Sequence, residues 1–202
     1  MKTAACILAL SILGLAGNGM AQESPWQVRI RADYLKPANK SDAVGGTGAS
    51  DRLQVNSKTI PEIDISYFFT QNWATELVLT YPQKQDVTLD GKKIGSFKHL
   101  PPTLTLQYHF LPQAAFSPYV GAGINYTHIS SVDLLGGAGQ LDHSSWGLAL
   151  QAGLDYKLDK NWSLNLDVKK LQIRSDVYAG GEKISRVQID PWLIGMGVGY
   201  RF

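Results

Sequence analysis

The stretch from Trp192 to Phe202 constrains this chain more than any other. Trp192, Ile194, Met196, Val198, Tyr200 and Phe202 are large and apolar or aromatic, and they alternate with Leu193, Gly195, Gly197, Gly199 and Arg201. Period two over that length is a β-strand with two unlike faces. The sequence stops on an aromatic residue of the apolar face. In water such a face costs about 25 cal/mol for each Å² left exposed. Against acyl chains it costs nothing, so a transmembrane β-barrel is the fold to expect.

The same alternation returns seven times. The apolar sets are Trp26 to Tyr34, Ile63 to Phe69, Trp73 to Tyr81, Leu104 to Phe110, Val120 to Tyr126, Trp146 to Leu158 and Trp162 to Val168, each taken at every second position. With the last strand this predicts an all-β, eight-stranded antiparallel barrel. Connections at 70–72, 159–161 and 111–117 are short, and those at 36–58, 82–98, 129–145 and 174–186 are long. Strict alternation of short and long matches the periplasmic turns and extracellular loops of outer-membrane barrels. An even strand count puts both ends of the barrel on the periplasmic side.

Alternation does not say which face points inward, and a lipocalin-type barrel also has eight strands with apolar residues inside. Three features choose the inverted barrel. The second face carries both signs of charge: Arg29, Arg31, Lys157, Lys169 and Arg201 with Asp33, Glu62, Asp64, Glu76, Asp155 and Asp167. Aromatics cluster at strand ends, as interfacial girdles do: Trp26, Phe69, Trp73, Phe110, Tyr156, Trp162, Tyr200 and Phe202 at one end, Tyr34, Tyr81, Tyr126, Trp146 and Trp192 at the other. The final residue has the apolar parity.

Lys2, the apolar run that follows and the small residues of Gly19-Met20-Ala21 form a secretory signal, expected to be cleaved after Ala21. That divides the chain into a signal peptide (1–21) and one barrel domain (22–202). The run is too short to cross a bilayer comfortably, since about 20 apolar residues are needed. Cys6 leaves with the signal, so no disulfide, thiolate nucleophile or cysteine metal site is expected in the mature chain. With 19 Lys and Arg against 17 Asp and Glu, there is no basic excess to point to nucleic acid.

An eight-stranded interior is just wide enough to be filled by side chains. The inward charges are therefore expected to form a plug of ion pairs rather than an open pore. Glu62 and Glu76 are the carboxylate pair to inspect for acid–base chemistry, but a structural charge network is the simpler reading. His99, His109, His128 and His143 lack metal-ligand spacing, and neither a G-x-S-x-G elbow nor a phosphate-binding loop is present. No cofactor, metal or enzymatic activity is expected. Near the outer mouth, Leu53, Val55, Val78, Ile94, Phe97, Leu100, Leu134, Leu135 and Leu141 are too many apolar groups for solvated loops. They either pack the loops together or line an apolar pocket above the plug, and the two readings are compatible.

Particular strings carry a family resemblance. These are His99-Leu100-Pro101-Pro102-Thr103, the run from Pro118 to Thr127, Asp190-Pro191-Trp192 and Gly199-Tyr200-Arg201-Phe202. Together they resemble the outer-membrane protein W (OmpW) family, which includes AlkL-type importers of hydrophobic compounds, over essentially the whole mature chain. The resemblance implies a Gram-negative outer-membrane barrel with a narrow apolar channel open to the outside and closed to the periplasm. Small hydrophobic solutes would enter from outside and leave sideways into the bilayer. The residues expected to meet solute are Leu53, Val55, Val78, Leu100, Pro101, Pro102, Leu134, Leu135, Trp146 and Lys169. Lys169 stands where some members have an aromatic, which polarises the inner end. The Pro101-Pro102 pair cannot donate ladder hydrogen bonds, which suits a lateral opening. Expected partners are outer-membrane lipid and lipopolysaccharide, small hydrophobic solutes, and the barrel-assembly machinery through the strand ending in Phe202. The alternative function is a structural or interaction barrel whose loops bind host, phage or envelope partners.

Overall fold

A computed structural model describes residues 24–202; the expected signal peptide and its cleavage site lie outside the described residues. The strands in chain order are β1 (Trp26–Lys36), β2 (Lys40–Ser41), β3 (Leu53–Val55), β4 (Lys58–Phe68), β5 (Trp73–Leu79), β6 (Gln83–Leu89), β7 (Lys92–Leu100), β8 (Thr103–His109), β9 (Phe116–Leu134), β10 (Gly139–Leu141), β11 (Ser144–Lys157), β12 (Trp162–Leu171), β13 (Arg174–Ala179), β14 (Glu182–Gln188) and β15 (Trp192–Arg201). Eight of them form the wall, in the order β11-β12-β15-β1-β4-β5-β8-β9, and β9 pairs with β11 to close it. Every neighbour is antiparallel, and closure leaves no free edge, as a bilayer requires of a sheet.

The period-two pattern becomes two surfaces. Arg29, Arg31 and Asp33 of β1 are fully or almost fully buried, while Ile30 between them is exposed. Leu148, Leu150 and Met196 are more than half exposed on the same outer surface, which is the lipid face. Aromatic contacts tie each girdle together, with Trp162 against Tyr200 at 5.0 Å on the periplasmic side and Tyr126 against Trp146 at 4.8 Å on the outer side. Side-chain caps shape the periplasmic turns. The Asp159 carboxylate accepts hydrogen bonds from the amides of Asn161 (2.8 Å) and Trp162 (2.7 Å), and these hold its pKa below the usual carboxylate range.

The long connections differ from the loops expected from sequence. The segments 82–98 and 174–186 fold into the hairpins β6–β7 and β13–β14. Asp90-Gly91 and Gly180-Gly181 make their turns, all four residues having positive φ, as type I′ hairpin turns require. β9 runs on beyond the membrane to pair with β7, and β10, β13, β14 and β2 continue the sheet. Extended backbone must place its N–H and C=O groups somewhere; here they go into a second tier of sheet. This crown stands on the membrane-spanning wall and encloses the upper interior.

Candidate functional site

The interior has two compartments, stacked along the barrel axis. The lower one is ionic. Arg29 from β1 reaches Glu76 of β5 at 2.6 Å and Asp155 of β11 at 2.7 Å. Arg31 reaches Glu62 at 3.0 Å, Asp64 at 3.2 Å and Glu76 at 3.3 Å, and its Nε donates to Asn165 Oδ1 at 2.7 Å. Lys169 of β12 spans the lumen to Glu62 at 2.5 Å and Asp167 at 2.9 Å, with Asp33 at 3.5 Å. Gln151 donates to both Glu76 (2.8 Å) and Asp167 (2.9 Å), and the Tyr119 hydroxyl donates to Asp167 at 2.7 Å. These groups come from strands all round the wall and meet across the lumen. Glu62 and Glu76, the pair expected to be worth inspecting for catalysis, are both bound by Arg31. Both are held in an ion network, where Glu76 also accepts a hydrogen bond from the Ser66 hydroxyl at 3.2 Å and Ser66 in turn accepts one from Arg29 at 2.9 Å.

Carboxylates outnumber cations in the plug. Among the described residues, Asp33, Glu62, Asp64, Glu76, Asp155 and Asp167 form ion pairs with Arg29, Arg31 and Lys169 alone. The cost shows in Asp33 and Asp64, whose carboxylate oxygens receive no hydrogen bond from the described residues. Such a network is brittle, because each cation serves several anions in a low dielectric.

Above the plug the lining changes within one pair of residues on several strands. Leu35 follows Asp33 on β1, Leu171 follows Lys169 on β12, and Leu193 pairs with Leu35 on β15. These side chains and Ile60 are almost fully buried. They form an apolar floor. Over it lies a chamber of about 630 Å³, including the part open to solvent, whose accessible lining is entirely apolar. Its walls come from the crown: Leu53 and Val55 of β3, Val87 of β6, Phe97 of β7, Ile129 and Leu134 of β9, Leu141 of β10, Val177 of β13 and Val187 of β14. His99 lies nearby, above the outer girdle and next to Gln85 at 3.5 Å. Burial, reinforced by the positive charge of Lys58, pushes its pKa down to about 4, so the imidazole is neutral there.

The expected solute-contacting residues separate into four groups. Leu53, Val55, Leu134 and Leu135 line the chamber, as do Ile94, Phe97 and Leu141. Val78 and Lys169 lie lower: Val78 pairs with Asp64 and Thr103, and Lys169 is part of the plug. Trp146 corrects the expectation placed on it. Its ring is 69% exposed on the outer surface, because its parity on β11 is that of the lipid face. Leu100 has the same outward parity on β7, opposite His128. Pro101 and Pro102 sit between β7 and β8. There the β4–β5 ladder has stopped at Ile63–Leu79 and the β5–β8 ladder at Val78–Thr103. The side chain of Asn125 donates to both proline carbonyls at 3.3 Å, and the Tyr126 amide donates to Pro102 at 3.1 Å. The ladders thus leave a seam in the wall between β5 and β8. Sequence reasoning missed Val87, Ile129, Val177, Val187 and Ile189. The signal was there, as Gln83, Gln85, Val87 and Leu89 alternate with polar residues up to an Asp-Gly turn.

The sequence pattern of the OmpW family matches residues 22–202. The chain belongs to the OmpW family. Outer membrane protein W of Vibrio cholerae is 35% identical to it over 219 residues, covering 100% of both chains. The dibenzothiophene metabolism operon protein PahQ of Pseudomonas aeruginosa is 29% identical over 208 residues, covering 96% of this chain and 97% of the relative. Among solved structures, the outer membrane protein OprG of Pseudomonas aeruginosa superposes with a TM-score of 0.77 at 30% identity, over 89% of this chain and 97% of that one. OmpW-family membership and the closed barrel place this protein in the outer membrane of a Gram-negative cell. Its wall is embedded in lipid.

Proposed function

We propose that this OmpW-family barrel is a passive conduit for small hydrophobic molecules. They enter the chamber from the extracellular side and leave through the wall into the acyl region. The observation that carries this reading is the chamber lined almost entirely by apolar residues and seated on a plug of ion pairs. An apolar solute gains about 25 cal/mol for each Å² it buries in the chamber. It gains nothing by entering a cluster of carboxylates and guanidinium groups. Downward passage is therefore unfavourable, and the seam at Pro101-Pro102 is the neighbouring route to a medium of matching polarity. No energy source is needed, because the gradient of the solute drives the flow. The name of the PahQ relative, which refers to metabolism of an apolar aromatic heterocycle, agrees in substrate class.

The test is uptake of a fluorescent polycyclic aromatic into intact cells whose own family members have been deleted. Val55→Arg or Leu134→Arg places a charge in the chamber and is expected to cut the protein-dependent rate at least about ten-fold, since an unpaired charge in an apolar site is strongly disfavoured. Trp146→Phe, on the outer face, should leave the rate within about two-fold. Undiminished uptake in a correctly folded Leu134→Arg barrel would remove the chamber from the route.

A further inference from the structure

A second site lies on the outside of the barrel, where the outer girdle meets the extracellular rim. Lys36 of β1 and Lys170 of β12 both pair with Trp192 of β15, one on each side. The three residues form one row across neighbouring strands, all of lipid-facing parity. Adjacent strands are about 4.8 Å apart, so the two lysine backbones are separated by roughly 10 Å. Two side chains of that length can reach a common point above the indole. Lys170 Nζ already stands over the Trp192 ring, 5.1 Å from its centroid. Lys40 of β2 is close enough to Lys170 to repel it, though less strongly than the Asp190 carboxylate attracts it.

Of the three lysines, only Lys170 has an answering group among the described residues. Among the described residues, neither Lys36 nor Lys40 forms an ion pair. Lys170 donates to the backbone carbonyl of Asp190, whose carboxylate is held by Arg174 at 3.2 Å and by the Ile173 amide at 2.8 Å. Clustered like charges repel, and the cluster becomes favourable once an anion enters it. Directly below the row run Ile194, Met196, Val168 and Leu166 of the lipid face. A ligand that fits has an anionic head at the rim and acyl chains along that strip. In the outer leaflet, the lipid with this form is a phosphorylated glycolipid.

We propose that Lys36, Lys40 and Lys170, grouped around Trp192, bind a phosphate of lipid A on the outer surface of the barrel. The site would fix one glycolipid beside β15 and set the depth at which the barrel sits. It is distinct from the solute path, whose proposed exit at Pro101-Pro102 adjoins β8, whereas this site lies on β12, β15 and β1.

The test uses the mature barrel in phosphatidylcholine nanodiscs doped with diphosphoryl lipid A, with dephosphorylated lipid A, or with phosphatidylglycerol at equal anionic charge. After detergent exchange, retained lipid is counted by native mass spectrometry. The parent is expected to retain diphosphoryl lipid A at least about ten-fold more than the dephosphorylated form, each lysine near the surface contributing to that preference. The triple variant Lys36→Gln/Lys40→Gln/Lys170→Gln should lose the preference. Lys92→Gln/Lys93→Gln/Lys183→Gln, at the tips of the crown, should keep it. Folding of each is checked by heat-modifiable migration, and the single Lys36→Gln variant, expected to show an intermediate loss, covers a triple variant that fails to fold. Equal retention of the two forms of lipid A, or retention unmoved by the folded variants, overturns the site. Equal retention of phosphatidylglycerol overturns the assignment to glycolipid.

Discussion

Replacing Lys169 by methionine tests the plug where it is most stretched. The ammonium lies within 2.5 Å of Glu62, 2.9 Å of Asp167 and 3.5 Å of Asp33, and the side chain is almost completely buried. Methionine fills much of the same volume and brings no charge. Three carboxylates then lose their shared cation, and Asp33, which already lacks a hydrogen-bond donor, is left with no ion-pair partner among the described residues. Removing one partner of a buried pair costs about 3–5 kcal/mol. Sharing among several anions places the expected loss toward the upper end of that range. Equilibrium urea unfolding of the barrel in phosphocholine micelles, followed by tryptophan emission, measures it. Adding Glu62→Gln removes the anion nearest the lost ammonium and leaves Arg31 to the remaining carboxylates, so the double variant should be more stable than Lys169→Met alone by about 1–3 kcal/mol. A Lys169→Met barrel within about 0.5 kcal/mol of the parent, or a double variant as weak as the sum of the single ones, would refute the view that the plug is a coupled ion network.

Three further outcomes follow from particular contacts. A Cβ at Gly123 would lie 1.9 Å from the Leu104 carbonyl oxygen and 2.7 Å from Thr105 Cα, whereas at Gly121 the nearest atom is Gln151 Oε1 at 3.1 Å. Gly123→Ala should therefore destabilise the barrel by about 3 kcal/mol by forcing β8 and β9 apart, and Gly121→Ala by less than about 1 kcal/mol, as read from urea midpoints. Tyr119→Phe removes the donor to Asp167 and the acceptor for Asn165 at 3.1 Å, and should cost about 1–3 kcal/mol in the same assay. His99 titrates near 6.5 when the crown is open and near 4 when it is closed. Between those values the open form binds the extra proton. The crown is thus fully stable above pH 6.5 and loses stability as the pH falls toward 4, by at most about 3 kcal/mol. Hydrogen exchange in β7 should accelerate over that window in the parent and much less in His99→Leu.

The inside and outside of the wall were legible in the sequence because strand parity is local. Successive side chains of an extended backbone point to opposite faces wherever the strand goes, so Arg29, Arg31 and Asp33 share one surface and Ile30 the other before any partner strand is known. The short turns and girdles are equally local. The crown was legible in principle too, from Asp90-Gly91 and Gly180-Gly181 and the alternation beside them, but length alone made those segments look like loops. What only the tertiary structure decided is who meets whom. Arg31 binds carboxylates of β4 and β5, and Lys169 meets a glutamate 107 positions away. The chamber is assembled from seven strands, so Leu134 lines it and Trp146, expected beside it, faces lipid. These pairings depend on register and on the stagger at which the sheet closes, which are properties of the whole ring. Parity says which side of the wall a residue occupies; closure decides its height and its neighbours.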